Sequence, residues 1–313
     1  MQKQLSGLKD ISGRPFSIII EIGLLILLSF IWGNSFVLMK VAVETIPPLT
    51  LTAFRVTLAA LLLLAVTKVR HLAMPRCRAA WSFLAIQGVL QCALPYTLIS
   101  WGEKEISSGL AGVLNATPPV FVLLISLVTG MGGRIATPGK ITGTLIGLAG
   151  VIIIMGFASL NEAGLATPLA QAAVLGASFC YALSPLIVMK YTGIPPLVTT
   201  TGSMLCASVM MLPVSLAVDK PWALTPSAAG IISAVTLAIL CTAVAMLIYF
   251  RLVSTLGALV TASGGYLRAG FSVISGILFL GESITVSVGA GMLLIISGIA
   301  IVSAPPRQAA KTE

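Results

Sequence analysis

Ten apolar runs of about 20 residues, parted by breaks of a few residues, account for most of this 313-residue chain. They fall near 18–41, 49–67, 80–101, 106–130, 138–158, 168–190, 196–217, 226–250, 255–280 and 284–303. A helix needs about 20 mainly apolar residues to cross roughly 30 Å of hydrocarbon, so each run is long enough to span a bilayer. No break has room for a soluble domain. Only 9% of the residues are charged against 58% hydrophobic, whereas a soluble surface needs about 25% charged. The expected fold class is therefore an all-α membrane protein of about ten transmembrane helices, with the lipid bilayer as its solvent.

The basic residues say which way the chain is threaded. Thirteen of the 18 Lys and Arg lie on one side: Lys3, Lys9, Arg14, Lys68, Arg70, Arg76, Arg78, Arg134, Lys140, Lys190, Arg251, Arg307 and Lys311. Lys40, Lys104 and Lys220 are on the other. The positive-inside rule then predicts a multi-pass protein of the cell (inner) membrane with both termini in the cytoplasm. A net charge of +9 can signal nucleic acid, but these charges are dealt out singly between apolar runs, and no nucleic-acid partner is expected. The first run is too long for a signal peptide and has no small-residue cleavage site, so it reads as a retained helix. Five scattered cysteines and a lone His71 give neither a disulfide framework nor metal-ligand spacing, and no metal or cofactor is expected.

Laid against itself, the sequence repeats. IPPLTLTAFRVTLAALLLL at 46–64 matches IPPLVTTTGSMLCASVMML at 194–212, Met-Lys at 39–40 recurs at 189–190, and LAGVIII at 148–154 lies over ISGIAIV at 296–302. The spacing points to a duplicated unit of five helices. An odd number of crossings reverses the second copy, and two inverted five-helix repeats are the architecture of alternating-access carriers. The expected organisation is a cytoplasmic segment at 1–15, repeats at 16–160 and 161–304, and a cytoplasmic tail at 305–313. Gly139, Gly143 and Gly147, with Ser287 and Gly291 in the other half, suit close helix packing.

Three segments resemble one family. SFIWGNSFVLMKVAVETIPPLTLTAFRVTLAALLLL at 29–64 is similar to the opening of the EamA domain of the drug/metabolite transporter superfamily. ISSGLAGVLNATPPVFVLLISL at 106–127 looks like its fourth helix, and FSVISGILFLGESIT at 271–285 like the end of the fourth helix of a second copy. The resemblance implies ten helices in two EamA units, a central cavity, and export of small metabolites such as amino acids. It departs from the family pattern at Tyr266-Leu267-Arg268-Ala269, where an arginine enters and the usual proline is missing.

Polar residues at membrane depth are the candidate site. Arg268 lies near the middle of the ninth run, where an arginine costs about 2.5–3.5 kcal/mol and must face protein or water. Tyr266, Trp32, Asn34, Gln91, Tyr96, Asn115, Pro119 and Tyr181 fall at similar depth and join it as candidate substrate-binding residues, while Gln87 and Ser184 are further candidates for a wet wall. Arg55 in the second run is expected to be a structural or gating tie. Lys40 is grouped with it, although near the end of the first run its ammonium can snorkel to the interface. No carboxylate falls at mid-membrane, and Glu21 is the nearest. Proton relay by an intramembrane acid is therefore not expected.

These features point to a secondary transporter, an exporter of an amino acid or other carboxylate-bearing metabolite working by alternating access, with a small molecule as its partner and no catalytic residue. The alternatives are a non-transporting accessory or receptor protein and, with less support, an intramembrane enzyme; no apolar run holds the Asp or His that such an enzyme would use. The oligomeric state is left open.

Overall fold

The computed structural model describes residues 15–129, 138–160, 166–188, 193–256, 258–283 and 286–303. Both terminal segments, with Lys3, Lys9, Arg14, Arg307 and Lys311, and the connections holding Arg134 and Lys190 lie outside them. The described residues form helices α1 (Pro15–Val43), α2 (Pro48–Val69), α3 (Arg78–Gly88), α4 (Leu94–Gly102), α5 (Ser108–Leu114), α6 (Pro118–Thr129), α7 (Pro138–Leu160), α8 (Ala166–Val188), α9 (Pro196–Val218), α10 (Ala228–Ala238), α11 (Ala245–Thr255), α12 (Ala258–Leu280) and α13 (Val286–Ser303). Several begin at proline, whose fixed φ suits the first helical position and whose missing N–H is not needed there.

Among the described residues, six helical stretches are long and apolar enough to cross a membrane: Ile19–Val43, Pro48–Val69, Arg78–Gly102, Ser108–Ile125, Pro196–Val218 and Ala228–Thr255. Shorter apolar stretches lie in α7, α8, α12 and α13. Large apolar side chains such as Ile26, Phe30, Leu61, Ile152, Leu212, Ile232, Leu278 and Leu293 face outward, as a surface solvated by acyl chains requires.

Two spans change pitch midway. A π-turn over Val89–Ala93 joins α3 to α4, and another over Ile239–Val244 joins α10 to α11. Such wide turns frequently sit at functional sites. A third span is broken outright. Pro118 and Pro119 bring no N–H to bond the carbonyls of Leu114 and Asn115 four residues earlier, so α5 ends and α6 begins anew. Carbonyls without a helical N–H inside a bilayer need other donors; the Thr117 hydroxyl reaches Leu114 O at 2.7 Å, and further donors come from elsewhere in the chain. Ser178 on α8 donates its hydroxyl to Leu114 O at 2.9 Å, and Arg268 on α12 donates to Asn115 O at 2.9 Å.

The helices pack in pairs: α2 on α9, α4 on α8, α1 on α12 and on the α10–α11 span, and α7 on α13. Small residues set the closest approaches. Gly33 of α1 lies so near α12 that an added Cβ would stand 2.9 Å from the Arg268 carbonyl oxygen. A Cβ on Gly298 of α13 would stand 2.5 Å from the Gly143 carbonyl oxygen and from the Gly147 nitrogen on α7, while Gly150 faces Gly291. Gly139 has nothing within 4 Å, so of the three spaced glycines on α7 it alone lies off the seam.

One end of the bundle holds the turns near residues 45, 104, 223 and 282, and hydrogen bonds lace them together. Thr50 donates its backbone N–H and its hydroxyl to Asp219, each at 2.8 Å, and Thr45 meets Ser227. After α12, Gly281 takes a left-handed φ of 63°, which turns the chain back so that Glu282 reaches the start of α5. The Glu282 carboxylate accepts from Ser108 N at 2.6 Å and Gly109 N at 3.1 Å. Carboxylates at a helix N-terminus satisfy orphan donors and oppose the positive dipole end. Glu282→Ala is expected to cost about 1 kcal/mol, a cap's usual worth, with Glu282→Gln recovering part of it, as read from thermal unfolding in detergent.

Candidate functional site

Between the helices lies a cavity of about 640 Å³, within the range of small-molecule sites. Its wall from α1 is Trp32, Ser35, Phe36 and Met39, a stripe with helical spacing. Around it stand Arg55, Gln87, Gln91, Cys92, Tyr96 and Ile99 from α2 and the α3–α4 span, Asn115 and Pro118 from the broken span, Tyr181 and Ser184 from α8, and Arg268 from α12. The second half of the chain adds Thr199, Thr200, Ser203, Met246, Tyr249 and Val253, and the mouth is at the exposed Pro196. The opposite end is shut. Met39 and Ile99 are buried at its floor, and Lys40 and Glu103 come next along α1 and beyond α4.

Arg55 is tied on three sides. Its Nε donates to Thr242 Oγ1 at 2.8 Å, its Nη1 points at the Met39 sulfur at 3.8 Å, and its guanidinium carbon stands 4.0 Å over the Tyr96 ring. Thr242 sits in the second π-turn and donates in turn to Leu237 O. Trp32 is fixed on the same turn, its Nε1 donating to Cys241 O at 3.1 Å, with the Tyr249 ring tilted beside it at a centroid distance of 5.7 Å. The wide turn frees carbonyls that an unbroken ladder would occupy, and Trp32 takes one of them. Gln87 and Ser184 satisfy one another: Gln87 Nε2 donates to Ser184 O, and Ser184 Oγ donates to Gln87 Oε1.

Arg268 is less completely satisfied. One terminal nitrogen caps Asn115 O, but its Nε is buried without a partner, as is Asn115 Oδ1 beside it. Among the described lining residues the only charged side chains are Arg55 and Arg268, with no carboxylate. An arginine held at a carbonyl end, with spare donors and no acid beside it, leaves a place for an anion.

Of the residues picked from sequence, Arg268, Trp32, Gln91, Tyr96, Asn115, Tyr181 and Arg55 meet in this wall. Asn34 does not. It lies between the lining positions of α1 and donates to Phe30 O of its own helix. Pro119 is also off the wall, its neighbour Pro118 being the one that lines it. The side chain of Tyr266 is outside the described residues. Lys40 does not snorkel: its ammonium turns inward and donates to the backbone carbonyls of Glu103 and Ile106. Glu21 is paired with Arg251 at 2.8 Å and accepts from Thr255 at 3.0 Å. The lining Thr199, Thr200, Ser203 and Tyr249 were not singled out from sequence; for the first three, recurrence at helical spacing on α9 was the available sign, and Tyr249 stands on α11.

The EamA-like transporter family model matches residues 19–156 and again 169–304. The chain belongs to that family. It is 26% identical over 264 residues to "Uncharacterized inner membrane transporter YedA" of Escherichia coli (strain K12), covering 84% of each chain. It is 27% identical over 282 residues to "Uncharacterized transporter YvbV" of Bacillus subtilis (strain 168), covering 90% of each. A shorter match, 34% identical over 107 residues and 34% of each chain, is to "Protein PagO" of Salmonella typhimurium. A crystal structure superposes with a TM-score of 0.60 at 16% identity, over 89% of this chain and 95% of that one, and shares its fold. This member of the EamA-like family is a multi-pass membrane transporter.

Proposed function

We propose that this EamA-like protein is a secondary transporter that exports a small metabolite bearing a carboxylate, by alternating access across the inner membrane. The observation that carries this reading is the cavity wall: two arginines, no acid, and a buried Nε on Arg268 with no partner. Arg268 would grip the carboxylate, the aromatic rings of Trp32, Tyr96 and Tyr181 would shape the apolar part of the site, and Gln91 and Asn115 would orient polar groups. Arg55 and Lys40 would hold the closed end rather than touch the substrate.

Ten spans in two inverted units, 16–160 and 161–304, underlie the mechanism. Support comes from the two separate family matches, from π-turns that recur about 150 residues apart, and from packing that follows a two-fold rule. The α4–α8 pairing answers the pairing of α1 with α10–α11, and α2–α9 and α7–α13 answer themselves. With the termini in the cytoplasm, as the lysine and arginine bias predicts, the mouth at Pro196 faces inward and the end near Glu103 faces out.

The test is uptake of a panel of labelled amino acids, other carboxylates and neutral analogues into proteoliposomes. Carboxylate-bearing compounds should enter and should compete with one another. Because no described lining residue is an acid or histidine, flux down the substrate's own gradient should survive an ionophore that collapses the pH gradient. Transport of no compound, or only of compounds without an anionic group, would overturn the reading.

A further inference from the structure

Among the described residues, Glu103 is a buried acid that the mechanism above leaves without a use, Glu21 being paired with Arg251. It sits at the closed end of the cavity with 0% of its surface exposed, and neither carboxylate oxygen has a hydrogen-bond partner. Its obvious partner looks away: the Lys40 ammonium donates to the backbone carbonyls of Glu103 and Ile106 instead. A second buried group nearby, the Ser108 hydroxyl, is also unpartnered. The Glu282 carboxylate of the same end is already engaged by the amides of Ser108 and Gly109. The charged groups that face Glu103 are Lys40 from α1, Glu282 from the turn after α12, and Arg55 from α2. α8 packs on the adjacent Gly102 through Ala170 and Val174 and carries no titratable residue there. Lys104 and Glu105, next in the chain, are exposed.

An ionised carboxylate in that position would be a desolvated charge with no donor, a condition proteins escape by taking up a proton. Resting on the alternating-access reading, we infer that Glu103 is a proton-binding site that latches the outer end, neutral while that end is sealed and ionised when it opens to water and Lys40 swings round to pair with it. Burial, with Glu282 adding to it and Lys40 and Arg55 opposing, holds the carboxyl well above the ordinary carboxylate range in the sealed form. The sign follows from linkage. A group with the higher pKa in the sealed state favours that state at low pH, and the advantage fades as external pH rises through the sealed-state value. The proton enters and leaves from one side only, so it sets how readily the outer end opens without driving flux.

The experiment reads outer accessibility directly. All five cysteines are replaced, Ile99→Cys is introduced at the cavity floor, and right-side-out proteoliposomes are treated from outside with an impermeant maleimide. Each rate is divided by that of Lys104→Cys, an exposed reference that removes the reagent's own pH dependence. As external pH falls from about 8 to about 5.5, the normalised rate should drop, by up to about tenfold per pH unit. Glu103→Gln, a permanent mimic of the neutral carboxyl, should give a low and flat profile. A flat wild-type profile, or Glu103→Gln keeping the wild-type slope, overturns the latch while leaving alternating access intact. No outside labelling at any pH in either protein overturns alternating access, and the latch with it. Should Glu103→Gln not reach the membrane, the infrared spectrum of the wild type decides: a carboxylic-acid C=O band at neutral pH supports the latch, and its absence sinks it.

Discussion

Replacing Arg268 with Gln is expected to lower transport of carboxylate substrates by roughly ten- to a hundredfold, the worth of one charged hydrogen bond. Two roles must be separated, because Arg268 also caps the Asn115 carbonyl that Pro119 leaves without a helical donor. Arg268→Lys keeps a cation able to reach that carbonyl but loses the two-pronged grip that guanidinium offers a carboxylate. It should therefore stay folded in the membrane and still transport carboxylates poorly. A neutral analogue accepted by the wild type should lose less in both variants. Equal affinity of wild type and well-expressed Arg268→Gln for carboxylate and neutral analogues would leave the arginine with its capping role alone.

The second large effect is expected at the α7–α13 seam. A valine at Gly298 would drive its side chain into the Gly143 carbonyl and the Gly147 main chain, which cannot rotate aside as a side chain can. The two helices would have to part, and overpacking of this kind costs about 1–3 kcal/mol and sometimes more. Gly298→Val should melt well below wild type in detergent and accumulate poorly in membranes. Gly139→Ala, on the same helix as Gly143 but with open space around it, should change neither. Equal losses at both positions would mean that helix propensity rather than close approach is being measured.

The apolar runs foretold the helices well because hydrocarbon thickness leaves the chain little choice. The run expected at 196–217 is Pro196–Val218, and that at 168–190 is Ala166–Val188. The wide turns were not foreseeable, since Val89–Ala93 and Ile239–Val244 are mainly apolar sequence with no proline or glycine, and the second is held by Trp32 and Arg55 from elsewhere in the chain. Depth in the membrane can be counted along the chain, but direction around a helix cannot be had from polarity alone. Asn34 was picked because it is polar, yet the cavity takes the stripe Trp32, Ser35, Phe36 and Met39, a pattern that the sequence held and polarity obscured. Position near a helix end was equally misleading for Lys40. Lys40 was expected to be able to snorkel, and it is the packing of α1 against the 103–106 turn that holds its ammonium inward and buries Glu103 beside it.

The π-turns bear on how such a bundle could flex. A regular helix resists bending because every turn is strapped to the next, and a sharp angle needs those straps to break. At Val89–Ala93 and Ile239–Val244 the register has already slipped, and a carbonyl of the second turn is held by Trp32 and a hydroxyl by Arg55. Each of these two spans thus carries a joint at mid-length, and the second joint is clamped by two side chains that line the cavity. A solute that displaced the clamp would loosen the joint, so occupancy and bending are connected through a single tryptophan and a single arginine.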